Sequence, residues 1–413
     1  MRKVGTISRR QAIAGGALAL AARSEAAGPR PGTPDRTFGR RGIVTEVIGP
    51  GARAQELLVQ PDGKLLVCTF LNRRGFRSEI QLRRYTADGV VDPTFGDFGW
   101  TRTGVRPYGI PVLQKGEFIL SWGARADFLP GLVLERYTSN GRLDRGFQAN
   151  GQLDIPFGGY VTSMGAQSDG SILFLRFASP EEYEPTVTLT RLRPDGSLDE
   201  AFGNGGTVQS DNTPYVIRDM RILEDDRIVV LSDGAGHGRL TRFLPNGEPD
   251  RGFGPDGSVD IPIKGSLLRV APDGAMVVSG RLPDGASGFR VARLLASGAA
   301  DGAFGSGGAS TFTLPGVESV AVVSDCADDG RLLVVGLIGR KVRDIRVYDG
   351  HVGVLSPDGT PFLRFGKRGS IKTRIGFGSG WTHGVWQGAD RVVVAGGADV
   401  DAGGALTLGR FVA

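Results

Sequence analysis

Cysteine, histidine and methionine are scarce: the 413 residues include two Cys, three His and four Met. Cys68 and Cys326 sit in separate apolar runs far apart in the chain, which excludes a disulfide framework and reads as two small buried residues. His237, His351 and His383 fall at different points of the repeat described below, so no three-histidine metal site is expected. There is no nucleophile-elbow sequence, no phosphate loop and no Cys–His arrangement, and no cofactor is implied. Sustained 3.6-residue apolar periods are rare, so little helix is expected. No apolar run reaches the roughly 20 residues of a bilayer-spanning helix.

An excess of one charge is also missing from the body of the chain. The net charge is +5, but residues 1–26 hold Arg2, Lys3, Arg9, Arg10 and Arg23 against Glu25 alone. The remaining 44 basic and 43 acidic residues nearly cancel. A nearly neutral body offers no electrostatic footprint for a polyphosphate, which argues against a nucleic-acid partner.

The basic start reads as an export signal, residues 1–26. Paired arginines at 9 and 10 precede a short Ala/Gly-rich apolar stretch, Ile13 to Ala22, and "SEA" at 24–26 offers a small-x-small cleavage site. Ser8 and the twin arginines resemble the signal of the twin-arginine pathway, although Ala12 and Ile13 replace the more apolar pair usual there. An ordinary secretory signal is the alternative. Either route implies an exported bacterial protein, periplasmic or extracellular, with residues 27–413 as one domain.

Glycine, in contrast, is abundant: 66 residues, with 23 prolines. Much of it recurs in one phrase. "QPDGKLLV" at 60–67 returns as "QSDGSILF" from Gln167, "APDGAMVV" from Ala271 and "ADDGRLLV" from Ala327. Asp-Gly between two aliphatic runs is a hairpin turn, because Gly accepts positive φ and Asp bonds the turn backbone. A second phrase follows each copy, a turn glycine and then Phe six residues on. Gly32–Phe38, Gly89–Phe95, Gly141–Phe147, Gly196–Phe202, Gly247–Phe253, Gly298–Phe304 and Gly359–Phe365 all keep that interval. The closely spaced alternating carboxylates of a calcium loop are absent, so the aspartates read as turn residues.

Each copy of about 50 residues divides into four short strands, in the first "ELLVQ", "KLLVCTF", "EIQLRRYT" and "GWTRT". Units of that length and strand count predict an all-β, seven-bladed β-propeller of four-stranded blades. The recurring Phe is expected to wedge neighbouring blades together. The last copy stops after three strands, while the start of the domain supplies Gly32, Phe38 and the strand "GIVTEV" from Gly42. Pairing that N-terminal strand with the C-terminal blade would close the ring and cover an open edge.

The run "QPDGK" followed by "RYTADGVVDPTFG" resembles the delta-60 repeat, a bacterial family of exported and surface-associated proteins. The resemblance spans roughly Pro31 to Ala413, with departures at "QKGEF", Phe147-Gln148 and Asp225-Asp226. It implies a propeller and export, and its motif residues are structural.

Function in such a fold lies on the loops around the channel. The loops entering each first strand carry Arg53, Arg106 with Tyr108, Tyr160, Tyr215, Lys264, and Trp381 with His383. Aromatic faces and cationic donors converging at one mouth suit a small molecule, a glycan or a protein segment, and each ring could equally pack a blade top. The variable loops "LNRRGFRSE", "ASPEEYEPT" and "GLIGRKVRDIRVYDG" lie on the same side. The expected role is a non-catalytic, monomeric binding scaffold at the cell envelope. A lyase-like or lactonase-like reaction with His383 as base is the alternative, and would need a second polar group such as Tyr108 or Arg106 within reach.

Overall fold

The computed structural model describes residues 29–413, apart from 74–76, 108–110, 126–131, 156–159, 178–186, 211–215, 235 and 401–402. The expected signal segment lies outside the described residues. The fold is all-β: the described residues form four four-stranded sheets, one of five strands and one of eight, with two single-turn 3-10 segments. In the first sheet Arg53–Val59, Leu65–Arg73, Arg77–Tyr85 and Trp100–Arg102 follow one another up and down. The same order recurs along the chain. Two successive units, 267–313 and 320–373, join into an eight-stranded sheet through a single residue pair, Gly288 with Val320.

The Asp-Gly turns form for the reason the sequence suggests: Gly63, Gly170, Gly274 and Gly330 all have φ between 78° and 88°. Two departures from glycine adopt positive φ and gain a bond in exchange. Asp226 (φ 65°) accepts the Ser168 N–H and hydroxyl of the preceding unit, and Gln148 (φ 43°) donates its amide to the Asp195 carbonyl of the next.

The two chain ends are interleaved. Ile43–Val47 pairs antiparallel with Gly403–Val412, Val44 opposite Leu408 and Glu46 opposite Leu406. Ahead of that strand, Gly32 donates its N–H to the Val412 carbonyl, and Asp35 to that of Arg410. Residues 31–47 thus provide the turn and outer strand that the C-terminal sheet lacks.

The apolar core is divided into clusters, each between two consecutive sheets. One joins Leu120, Trp122 and Leu134 to Ile172 and Phe174; another joins Leu57, Val67 and Tyr85 of the first sheet to Val393 and Leu408 of the last. The recurring phenylalanines are fully buried in these seams. A Cβ on Gly141 would fall 2.6 Å from the Phe95 ring, and Gly89, Gly196, Gly247, Gly298 and Gly359 meet the preceding Phe in the same way, so these turn glycines are the flat surface on which it rests; Gly32 instead meets Gly366.

A polar clamp rides on the same seams. Arg191 Nε donates to Asp199 (2.7 Å), its guanidinium lies 4.5 Å over the Phe202 ring, and Nη1 donates to the Pro245 carbonyl of the next sheet. Arg136, Asp144, Phe147 and the Pro194 carbonyl repeat the arrangement, as do Arg242, Asp250, Phe253 and the Ala296 carbonyl. At the chain ends Arg410 takes the same part with Asp35, Phe38 and the Ala87 carbonyl. One unit departs: Val354 and Phe362 replace the Arg and Asp. There Arg331 lies over Phe362 and Trp386 and donates to the Ala389 carbonyl instead.

Candidate functional site

Two cavities of about 440 Å3 each border residues the sequence singles out, an axial one between the first strands of successive sheets and a rim one beside the longest hairpin; a third, of about 860 Å3, lies around Trp100 and Arg142. The axial cavity is lined by Leu58, Val112, Met164, Arg221, Arg269, Asp325 and Val385, drawn from first strands all along the chain. Most of its polar groups are committed to a neighbouring strand's backbone. Asp219 accepts from the Leu268 N–H at 2.9 Å, and Asp325 from the Trp386 N–H at 2.7 Å. Arg221 donates to the Leu268 carbonyl, and Arg269 to the Ser324 carbonyl. The Ser324 hydroxyl donates to the Gly384 carbonyl while the Gly384 N–H donates back to it. These side chains close the open inner edges that first strands would otherwise present to water. Burial raises the Asp325 carboxyl and lowers the Arg221 guanidinium from their ordinary values, so both sites disfavour charge.

His383 sits beside this cavity, half-buried, with Nδ1 3.1 Å from the Thr382 hydroxyl. Burial lowers its pKa, opposed by the nearby Glu56 carboxylate. Trp381, two residues earlier, is 1% exposed: its Nε1 donates to the Thr373 hydroxyl at 2.7 Å and its ring packs with Val335, Val394 and Phe411 between sheets. A bulge between Trp381 and His383 puts the ring in the seam and away from the mouth. Arg106 lies in the strand Val105–Pro107 and Tyr160 opens Tyr160–Ala166, but their side chains lie outside the described residues, as do Tyr108 and Tyr215 entirely. Of the six expected residues, Trp381 and His383 have described side chains, and these two face different surroundings. His351 is buried in Ile345–Leu355 and held at about 4 by desolvation, and His237 faces Asp260 at 3.8 Å.

The rim cavity draws on Arg53 and the variable segment 336–350, together with strands that the sequence does not single out. It lies where the long hairpin Leu332–Val342/Ile345–Leu355 rises beside Gly378–Trp386 and Arg391–Val400, with Gly51–Arg53 across from it. Glycines make its floor. A Cβ on Gly397 would fall 2.4 Å from the Ala52 backbone carbonyl, so only glycine permits this approach, and one on Gly380 would push the Leu337 side chain aside. Gly378 differs, with nothing nearer than 3.7 Å. Exposed apolar groups stand at the rim, Phe377 at 57% and Ile345 at 59%, with Tyr348 half-buried between. Arg53, of the expected mouth residues, does line this groove, its guanidinium 4.2 Å over the Phe70 ring.

No group of three or more metal-ligating side chains occurs among the described residues. No helix there is long and apolar enough to cross a membrane.

Comparison with known proteins gives one family match and several distant structural likenesses. The family model described as "Domain of unknown function (DUF5122) beta-propeller" matches residues 60–95 and 167–202. No curated protein matches. Among solved structures, the β-propeller domain of the Trilobed protease from Pyrococcus furiosus is 10% identical, covering 85% of this chain and 91% of that one with TM-score 0.47. YCF48 bound to D1 peptide is 10% identical, covering 93% and 98% with TM-score 0.48. Prolyl oligopeptidase B from Galerina marginata is 10% identical with TM-score 0.46, and the match covers 88% of this chain but 47% of that protein, about half its length. The family match supports a β-propeller repeat, carried by residues 60–95 and 167–202, in an all-β chain.

Proposed function

We propose that this protein is an exported, seven-bladed β-propeller, closed by its N-terminal strand, that acts at the bacterial cell envelope as a monomeric, non-catalytic binding module. The pairing of Ile43–Val47 with the C-terminal strand and the cluster shared by Leu57 and Leu408 support a closed ring. The observation that carries the binding role is the glycine-floored groove with Phe377, Ile345 and Arg53 around it. Exposed aromatic and aliphatic side chains beside an open cavity are features of recognition surfaces. The axial cavity supports the same reading from the other side, because its carboxylates and guanidiniums already bond neighbouring strands.

A second reading, catalysis on a small molecule or glycan at the channel mouth, draws on His383 and its electrostatic neighbours Glu56 and Arg269. Native mass spectrometry of the protein recovered from its own envelope separates the two. The binding reading expects a stoichiometric adduct that is lost in Gly378→Leu, a change that fills the groove without a backbone clash. An adduct that survives Gly378→Leu but is converted to product only while His383 is present would replace it with the enzyme reading.

A further inference from the structure

The outer strand of the long hairpin has an open edge. Ile345–Leu355 pairs with Leu332–Val342 along its whole length, but on its other side it meets Ser370–Thr373 only from Gly350 to Gly353. Ile345 to Asp349 therefore lack a second strand partner among the described residues. That stretch borders the groove, since Ile345, Arg346, Val347 and Tyr348 all line it. Consecutive strand residues point to opposite faces, so four in a row can reach one cavity only if the backbone edge contributes.

The chemistry around this edge is polarised. From 340 to 346 the hairpin tip carries Arg340, Lys341, Arg343 and Arg346 against Asp344. Arg340 bonds the buried Asp349, and Arg346 pairs with Glu318. Lys341 and Arg343 have no acidic partner among the described residues. An edge protected only against self-association would carry charge alone. Here the cations stand beside the exposed Ile345 and Phe377.

We propose that the groove receives an extended acidic polypeptide segment, which adds a strand along Ile345 to Tyr348, sets an apolar side chain against Phe377 and meets Lys341 and Arg343 with carboxylates. This deepens the binding role proposed above and rests on it. Backbone pairing supplies affinity that does not depend on sequence, and alternate side chains supply selectivity. The open row of backbone groups favours a peptide over an anionic glycan, which has no matching donor and acceptor ladder. The net positive tip favours carboxylates.

The test immobilises the full mature domain and selects from a random dodecapeptide library. Selected sequences should alternate acidic with apolar residues, and binding should weaken at least tenfold in Gly378→Leu and in the double variant Lys341→Glu/Arg343→Glu. The selected peptide should slow amide exchange at Ile345 to Tyr348, and its alternately N-methylated form should fail to bind. Enrichment of basic sequences, protection elsewhere, or equal binding by the N-methylated form overturns the proposal. If no peptide is enriched while polygalacturonate binds and is displaced by Gly378→Leu, the peptide assignment falls and the groove remains a binding site. If neither probe binds wild type better than Gly378→Leu, both fall.

Discussion

Replacing Arg410 tests whether the interleaved ends act as an ordinary junction between sheets. The side chain is 5% exposed on the C-terminal strand, with Nε 3.0 Å from Asp35. Nη1 donates to the Ala87 carbonyl (2.8 Å) and to Gln387 (3.0 Å), and Nη2 donates to Thr37 (2.7 Å) and Asp88 (3.1 Å). Burial pushes the Asp35 carboxyl up, but bonds from Thr37 and Arg391 and the charge of Arg410 outweigh this and hold it at about 2. Breaking a buried ion pair by removing one partner costs roughly 3–5 kcal/mol. Arg391, 2.6 Å from Asp35, still neutralises it, so Arg410→Met belongs at the low end, about 3 kcal/mol. Urea unfolding followed by tryptophan fluorescence measures this, with Arg191→Met as the matched clamp in mid-chain. Exchange at Ile43–Val47 should accelerate in Arg410→Met alone. The reasoning is refuted if Arg191→Met costs about 3 kcal/mol and Arg410→Met less than about 1, because the seam would then add little.

Three further outcomes follow from particular contacts. Gly89 (φ 77°) lies where a Cβ would meet the Phe38 ring at 2.7 Å, whereas Gly63 (φ 79°) has open space; thermal melts should show Gly89→Ala costing about 2–3 kcal/mol and Gly63→Ala about 1. His351 is depressed by burial to about 4, so stability is full above its unfolded value of 6.5 and falls by about 3 kcal/mol as pH drops towards 4. In His351→Gln that limb of the pH profile, followed by urea titration, should flatten. Burial pushes the Cys326 thiol up to about 12 and the Cys68 thiol higher still, so a thiol reagent such as DTNB should leave the native protein unmodified and react with two thiols in urea; fast native labelling would contradict the burial.

Turn glycines and wedge phenylalanines were legible in the sequence because each spacing is fixed by local backbone geometry. The clamp was equally regular: Arg191, Asp199 and Phe202 keep the spacing of Arg242, Asp250 and Phe253. It escaped notice because arginine and aspartate in a charged chain look like solvated surface until their partners across the seam are seen. Trp381 and His383 part company for a local reason, since alternation along a strand fails at a bulge. The assembled groove was illegible for a global one. Its walls come from residues 51–53, 337–348, 377–382 and 397–399, and nothing marks Gly378 or Gly397 among 66 glycines until distant strands meet.

The split clamp also bears on kinetics. The arginine at 410 and the aspartate and phenylalanine at 35 and 38 form one seam, so residues more than 370 positions apart in sequence must meet to make it. Interior junctions can form between neighbours as each unit emerges, whereas this one closes a loop of almost the whole chain. Such non-local contacts carry the largest loop-closure entropy and form late. In a chain truncated before Arg410, the Asp35 and Phe38 side of this junction would stay bare, and its formation would be a late docking step between residues far apart in sequence.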